Sequence, residues 1–308
     1  MHSKTRYLVI ILGPTGVGKS AAAVHLASCF QGEIISCDSI QVYKGFDIGT
    51  DKPSPALRQT VPHHLLDVAD PAAQFTAADF VRGALEAIRL IEERGRLPFC
   101  VGGTGLYLKT LLCGLFPGPG RDDSLRRKLE QRIREEGLES VRQKLEEVDP
   151  AYAGIIGRRD RVRIIRALEV FYLTQNPISA HFRETQSQIK DFHPVKIGLK
   201  LEREELYRKI EERVDRMFRS GLVEEVRSLL ARGIGETAPP FRALGYKHVL
   251  GHLRGEISLE EAISLTKKDT RHYAKRQLTW FRKMEGIRWF RADDCSSLED
   301  YLEVQLAS

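Results

Sequence analysis

What the sequence has little of narrows it first. Cysteine is scarce: Cys29, Cys37, Cys100, Cys113 and Cys295 are odd in number, far apart and free of any C-x-x-C pair. That pattern argues against a disulfide framework and against a zinc site, and it fits a reducing cytoplasm. Long apolar runs are missing too, since nothing approaches the roughly 18 residues of a membrane span. The basic opening Met1-His2-Ser3-Lys4-Thr5-Arg6 runs straight into a strand and a glycine-rich loop, so no signal peptide is expected. Internal repeats and low-complexity tracts are absent. With 308 residues, 42% hydrophobic and 29% charged, the chain has an ordinary soluble composition. It is long enough for one large domain or a domain with an insertion.

One stretch organises the rest. Tyr7 to Leu12 is an aliphatic run that reads as a buried strand, and Gly13-Pro14-Thr15-Gly16-Val17-Gly18-Lys19-Ser20 matches G-x-x-x-x-G-K-[ST]. The alanine-rich residues that follow read as a helix. Such a loop turns several backbone N–H groups and a helix N-terminus onto one anion. Lys19 adds a mobile charge, and the Ser20 hydroxyl suits Mg²⁺. A chance match would occur in about one chain per hundred at ordinary residue usage. This is a phosphate loop. Yet no hydrophobic strand in the first 200 residues ends in the aspartate that organises Mg²⁺ in an ATPase, which weakens an ATP-hydrolysing reading.

The net charge of +6 is modest but unevenly placed. Arg271, Lys275, Arg276, Arg282, Lys283, Arg288 and Arg291 face one acid, Glu285, within their segment. Arg158, Arg159, Arg161, Arg163 and Arg166 are relieved only by Asp160. Such clusters suit a polyanionic partner, or they are two solvated helix faces.

Taken in order, Gly32 to Ser36 reads as a second strand that delivers Asp38. In open α/β sheets ligands gather at the carboxyl ends of strands, so Asp38 falls beside the loop, unless it merely caps a turn. Lys44 to Pro71 reads as irregular chain, with His63 and His64 as structural histidines, since neighbours on extended chain point apart. A helix capped by Thr76 runs to about Arg94. Leu97 to Val101 is a third strand, and Gly102-Gly103-Thr104-Gly105 opens another helix at the same crevice. Phe116-Pro117-Gly118-Pro119-Gly120 marks a break. Residues 121–193 then read as a helical insertion, with one helix over Ser124 to Leu145 and another over Arg161 to Leu173. Val195 to Leu199 restores the sheet, followed by helices over Glu204 to Phe218, Leu222 to Leu230 and Leu259 to Met284. In the last, Lys268, Arg271, Lys275 and Arg282 share a stripe.

The ordered motifs resemble the bacterial tRNA dimethylallyltransferase family, also called tRNA isopentenyltransferase. They are Gly13 to Ser20; Asp38-Ser39-Ile40-Gln41-Val42-Tyr43 with Asp47-Ile48-Gly49-Thr50; and Val101-Gly102-Gly103-Thr104-Gly105-Leu106-Tyr107. Further on come Arg163-Ile164-Ile165-Arg166-Ala167-Leu168-Glu169, Gly245-Tyr246-Lys247 and Lys275-Arg276-Gln277-Leu278-Thr279-Trp280-Phe281-Arg282. The resemblance covers nearly the whole chain. It departs at Val162, where the family usually has Gln or Arg before the arginine, and the cysteine spacing shows no zinc-finger tail of the eukaryotic kind.

The resemblance implies an α/β fold: a P-loop nucleotide-kinase-like core with a parallel sheet over 1–120 and 194–308, and an all-helical insertion over 121–193. It implies a cytoplasmic monomer with no membrane association. The implied reaction moves a dimethylallyl group from dimethylallyl diphosphate to N6 of the adenosine at tRNA position 37, beside the anticodon. Gly13, Pro14, Thr15, Gly16, Val17, Gly18, Lys19 and Ser20 would then hold diphosphate or a nucleotide, with Mg²⁺ on Ser20. Asp38 is the implied general base, and Lys19, Thr104 and Arg213 stabilise or orient the reacting groups. Contacts to the anticodon stem-loop are implied for Asp38, Ser39, Ile40, Gln41 and Thr104, and for Arg126, Val162, Arg163, Ile164, Ile165 and Arg166. The same holds for Arg242, Gly245, Tyr246, Lys247, Lys275, Arg276, Gln277 and Arg282. Three rivals stay open on the residues alone. A small-molecule kinase would not need the basic helix. A non-catalytic RNA-binding or P-loop regulatory protein would not need Asp38. An enzyme prenylating free adenine nucleotides should lack the insertion's charges.

Overall fold

The computed structural model describes residues 5–116 and 118–307. Met1 to Lys4 and Pro117 of the expected break lie outside the described residues. The chain divides into two compact units, Met1–Leu111 with Ile189–Ser308, and Leu112–Gln188.

In the first unit, β1 (Arg6–Leu12) ends in the glycine-rich loop, and α1 (Lys19–Cys29) follows it. Next come β2 (Gly32–Cys37), a short α2 (Pro55–Thr60), β3 (His63–His64), α3 (Ala77–Glu93), β4 (Leu97–Gly102) and α4 (Gly105–Cys113). Residues Leu8 to Leu12 are fully buried, as a strand covered on both faces must be. Helix α3 starts where Thr76 and Asp79 cap each other reciprocally, an arrangement that stabilises a helix start by about 1 kcal/mol. Phe80, Ala84, Ala87, Ile88 and Ile91 recur at helical spacing on its buried face.

The second unit holds α5 (Asp123–Glu136), α6 (Leu138–Val148), α7 (Pro150–Ile155), α8 (Arg161–Thr174) and α9 (Ile178–Arg183). Its core gathers Leu129, Val141, Leu145, Ile164, Leu168 and Ile178. The single helix expected over Ser124 to Leu145 is two, because Gly137 sits at φ 87° and turns the chain between them.

The first unit then resumes with β5 (Phe192–Lys200), α10 (Arg203–Arg219), α11 (Leu222–Ala231), α12 (Tyr246–Leu253), α13 (Leu259–Phe281), β6 (Ile287–Arg291) and α14 (Cys295–Leu306). Phe192 and His193, expected in the insertion, belong to β5 and pair with Arg6 and Tyr7. Among the described residues the sheet has six parallel strands in the order β3-β2-β4-β1-β5-β6. The parallel α/β core is thus as expected from the sequence.

Two edges differ. His63 and His64 are not irregular chain but pair with Ile34 and Ile35 as an edge strand, too short to show any periodicity. His63 Nδ1 meets Val61 O and His64 Nε2 meets Glu33 Oε2, so both are structural histidines. At the other edge, β6 and α14 form where no element was expected.

Register places the crevice. Gly102 is paired with Leu12 on one side and Cys37 on the other. The residues that follow these three, Gly13, Asp38 and Gly103, therefore leave the sheet side by side at its carboxyl edge. That is where an open parallel sheet binds its ligands.

Candidate active site

A cavity of about 350 Å³ opens at that edge, lined by Thr15, Lys19, Ser20, Asp38, Gly103, Arg213, Arg242 and Tyr273 among others. Its floor is the glycine-rich loop. Gly18, at φ 104°, caps α1 without a side-chain hydrogen bond, which leaves the first-turn N–H groups free for an anion. Gly103 is also required: a Cβ there would stand 2.2 Å from Gln277 Nε2.

Lys19 Nζ donates to the Pro14 carbonyl at 2.8 Å. Burial, and then the neighbouring charge of Arg213, bring its ammonium down to about 8, against the opposing pull of Asp38 and Cys37. Arg213 reaches in from α10 and donates from Nη2 to Thr15 Oγ1 at 2.6 Å, while Nη1 faces Asp51 at 3.8 Å. Its Nε is the one buried side-chain polar atom among the described residues that lacks a hydrogen-bond partner. A buried donor left open beside a cationic loop has the geometry of a group waiting for an anion.

Asp38 stands opposite. Its Oδ1 accepts the backbone N–H groups of Ile40 at 2.8 Å and Gln41 at 3.2 Å, which fixes the carboxylate after β2. Thr104 Oγ1 accepts the Ser39 N–H at 3.2 Å, and the Gln41 side chain spans from Ser36 Oγ to the Thr50 carbonyl. A cationic anion cradle and an oriented carboxylate thus face one cavity. That arrangement suits displacement of an anionic leaving group coupled to removal of a proton.

An isopentenyltransferase family model matches residues 6–70, and one described as IPP transferase matches residues 41–284. A tRNA dimethylallyltransferase of Geobacter sulfurreducens is 51% identical over 93% of this chain and 92% of its own. That of Geobacter metallireducens is 52% identical over 94% and 93%. The solved tRNA isopentenylpyrophosphate transferase of Bacillus halodurans is 40% identical, with TM-score 0.73, covering 98% of this chain and 97% of its own. A eukaryotic dimethylallyltransferase acting on tRNA is 30% identical, with TM-score 0.79, over 98% of this chain and 77% of its own.

The chain belongs to the tRNA dimethylallyltransferase family. It is a transferase that places a dimethylallyl group on a tRNA adenosine.

The structure redistributes several residues assigned to RNA from the motifs. Gln277 is buried, not presented to a ligand: Oε1 accepts the Thr15 N–H and Nε2 donates to the Gly103 carbonyl, each at 2.8 Å. Tyr246 is also fully buried, and Gly245 beside it is buried. The Tyr246 hydroxyl donates to Glu225 Oε1 at 2.6 Å, and Glu225 also accepts N–H groups of Asp47, Ile48 and Gly49. This pair therefore shapes the 47–51 turn that carries Asp51 to Arg213. Lys247 is exposed but paired with Asp269.

In the unit Leu112–Gln188, Ile164 and Ile165 are core residues, so their side chains cannot touch RNA. Arg126 and Arg166 both clasp the buried carboxylate of Glu169. Arg158, Arg161 and Arg163 have acidic partners as well, in Glu139, Glu130 and Asp160. Val162 is 76% exposed, so the departure from the family pattern lies on the surface.

On α13 the expected stripe is partly neutralised, since Arg271 pairs with Glu211. Lys275, Arg276 and Arg282 are exposed and have no acidic partner among the described residues, and Arg242 is exposed at the cavity. Two residues escaped the sequence reading. Tyr273 lines the cavity, with its phenol pushed up to about 12 by burial and then by Asp38 and Cys37. Its signal was its spacing, one helical turn before Gln277 on the same α13. Glu225 gave no signal, because the backbone groups it holds are 176 to 178 residues away.

Proposed function

We propose that the enzyme takes its dimethylallyl group from dimethylallyl diphosphate and attaches it to N6 of the adenosine at tRNA position 37, releasing diphosphate. One observation carries this reading: the unpartnered Arg213 Nε and the Lys19 ammonium lie across one cavity from Asp38. Breaking the allylic C–O bond places negative charge on the departing diphosphate. The free N–H groups of the loop, Lys19 and Arg213 stabilise that charge where it develops. The adenine amine is a weak nucleophile because its lone pair is delocalised into the ring. It loses a proton as the new C–N bond forms, and Asp38 accepts that proton.

The Ser20 hydroxyl, a hard oxygen ligand on the cavity lining, also fits Mg²⁺. Bound there, the ion would neutralise charge on the leaving diphosphate. Thr104, held by the Ser39 N–H, orients the reacting base at the cavity wall. That base must leave its stack to enter. The exposed Lys275, Arg276, Arg282 and Arg242 supply backbone contacts to the anticodon stem-loop.

The reading takes the enzyme to be a monomer of the cytoplasm, and its five free thiols suit that reducing compartment. No helix among the described residues is long and apolar enough to cross a membrane. Mass spectrometry of nucleosides from tRNA incubated with the enzyme and dimethylallyl diphosphate tests the whole reading. It expects N6-dimethylallyladenosine next to the anticodon, and its absence from fully active protein would refute the donor or the acceptor.

A further inference from the structure

Away from the cavity, three donors of different chemistry join α1 to α14. His25 and Cys29 stand one turn apart on α1, and Glu299 lies on α14. One ligand atom from each, the imidazole nitrogen, the sulfur and a carboxylate oxygen, all fall within 4.8 Å of one another. His25 Nε2 already meets Glu299 Oε1 at 2.5 Å. The cluster is anchored from below, because Leu298 and Leu302 of α14 are fully buried in the core that also holds Ala22, Ala23 and Leu26 of α1. None of the three donors lines the cavity.

We propose that His25, Cys29 and Glu299 form a zinc site that pins α14 to α1. Imidazole nitrogen, thiolate and carboxylate are the ligand types zinc takes, whereas Mg²⁺ and Ca²⁺ prefer oxygen alone. Three protein ligands leave the fourth tetrahedral position to water. Tetrahedral zinc with these ligands sets its donors about 3.4 Å apart, so the cluster must contract by small side-chain rotations. All three side chains are at least partly exposed and free to make them.

Binding forms a Zn–S bond and releases the Cys29 proton to solvent. The hydrogen between His25 Nε2 and Glu299 leaves Nε2 and the neutral ring takes one up on Nδ1, a shift that nets no proton. The Nε2 lone pair then goes to zinc, and the contact with Glu299 is replaced by two metal bonds. Binding therefore strengthens as pH rises. The absence of paired cysteines argued against zinc in the sequence. This cluster uses one cysteine, with a histidine and a glutamate 274 residues apart, so only the packing of the two helices shows it.

The test is a titration of the full, reduced chain with Zn²⁺ and separately with Co²⁺, in excess Mg²⁺. The expected result is one zinc per chain, about one proton released, and a thiolate-to-cobalt charge-transfer band. Saturating zinc should raise the melting temperature by about 3 °C or more. Cys29→Ser should abolish the band and weaken zinc binding at least about tenfold, and Glu299→Gln should weaken it similarly. The metal-free melting temperature of Cys29→Ser should match wild type, since this cysteine is exposed. Equal zinc affinity in wild type and Cys29→Ser, or cobalt binding without the band, would overturn the site and leave a plain His25–Glu299 ion pair.

Discussion

Gln277 and Thr15 are 262 residues apart in sequence, yet the Gln277 carbonyl accepts the Thr15 N–H at 2.8 Å. The other end of the same amide holds the Gly103 carbonyl, so one side chain ties the glycine-rich loop to the β4–α4 junction. Gln277→Leu keeps the bulk but leaves two buried backbone groups unpaired. Stability should fall by about 1–3 kcal/mol, with a further loss of turnover as the loop loosens. Urea unfolding and single-turnover rates check both. An unchanged rate would mean the latch is structural only.

Lys19 gives a pH signature. Its ammonium is lowered to about 8, so the ligand-free enzyme is partly neutral there just above that pH. Diphosphate favours the charged form, and its affinity should be level below about pH 8 and fall above it by up to about tenfold per pH unit. Calorimetry at pH 8 in two buffers should show about half a proton taken up. Lys19→Arg should abolish that uptake. For folding the sign is opposite to the usual lysine case. The group costs stability while charged, and the cost is relieved as pH rises from about 8 towards the unfolded value near 10.4.

Asp38→Asn keeps a side-chain oxygen for the Ile40 and Gln41 N–H groups but cannot take up a proton. Turnover should drop about 10²–10⁴-fold while both substrates still bind. A single-turnover rate near wild type would remove Asp38 from the chemistry. A loss recovered by added Mg²⁺, together with weakened diphosphate binding, would make it a metal-organising group.

Lys275 and Arg276 are exposed cations with no acidic partner among the described residues, and the Arg276 guanidinium lies 5.7 Å from the Tyr273 ring. Reversing both to Glu should weaken tRNA binding and flatten its salt dependence, by about 0.7–0.9 in slope for each lost phosphate contact. Diphosphate affinity should barely move. If tRNA affinity and slope both stayed at wild type, this would be a solvated face.

Glu169 makes the second unit acid-sensitive. Burial raises its carboxyl, but hydrogen bonds from Arg126, Arg166 and the Asp122 N–H outweigh that and bring it to about 2. A depressed carboxyl contributes stability fully above its unfolded value near 4.3, and loses it as pH falls towards about 2. Glu169→Gln should cost about 3 kcal/mol at pH 7. That difference should shrink below about pH 4, and a pH-independent cost would contradict the assignment.

The core was legible because its strands are buried on both faces and read as unbroken aliphatic runs, as Leu8 to Leu12 shows. Asp38 was found because a phosphate loop fixes which strand ends lie next to it, whereas Arg213 was implied only by the family resemblance. Facing was not legible. The motifs around Ile164, Tyr246 and Gln277 look alike whether a side chain meets solvent or the core, and burial put all three inside. The edge strand β6 was hidden because Ile287 to Arg291 has arginines at two of its five positions, inside a basic stretch. Glu225 and the His25–Cys29–Glu299 cluster depend on contacts across the fold that no local pattern announces.

Arg276 and Gln277 are adjacent on one helix, the first turned to solvent and the second locked beneath the loop. If, as proposed, Arg276 meets RNA and Gln277 holds the loop that takes the prenyl donor, one rod joins the two binding equilibria. Linkage of this kind is reciprocal: whatever factor bound RNA applies to the affinity for the prenyl donor, the donor applies to RNA.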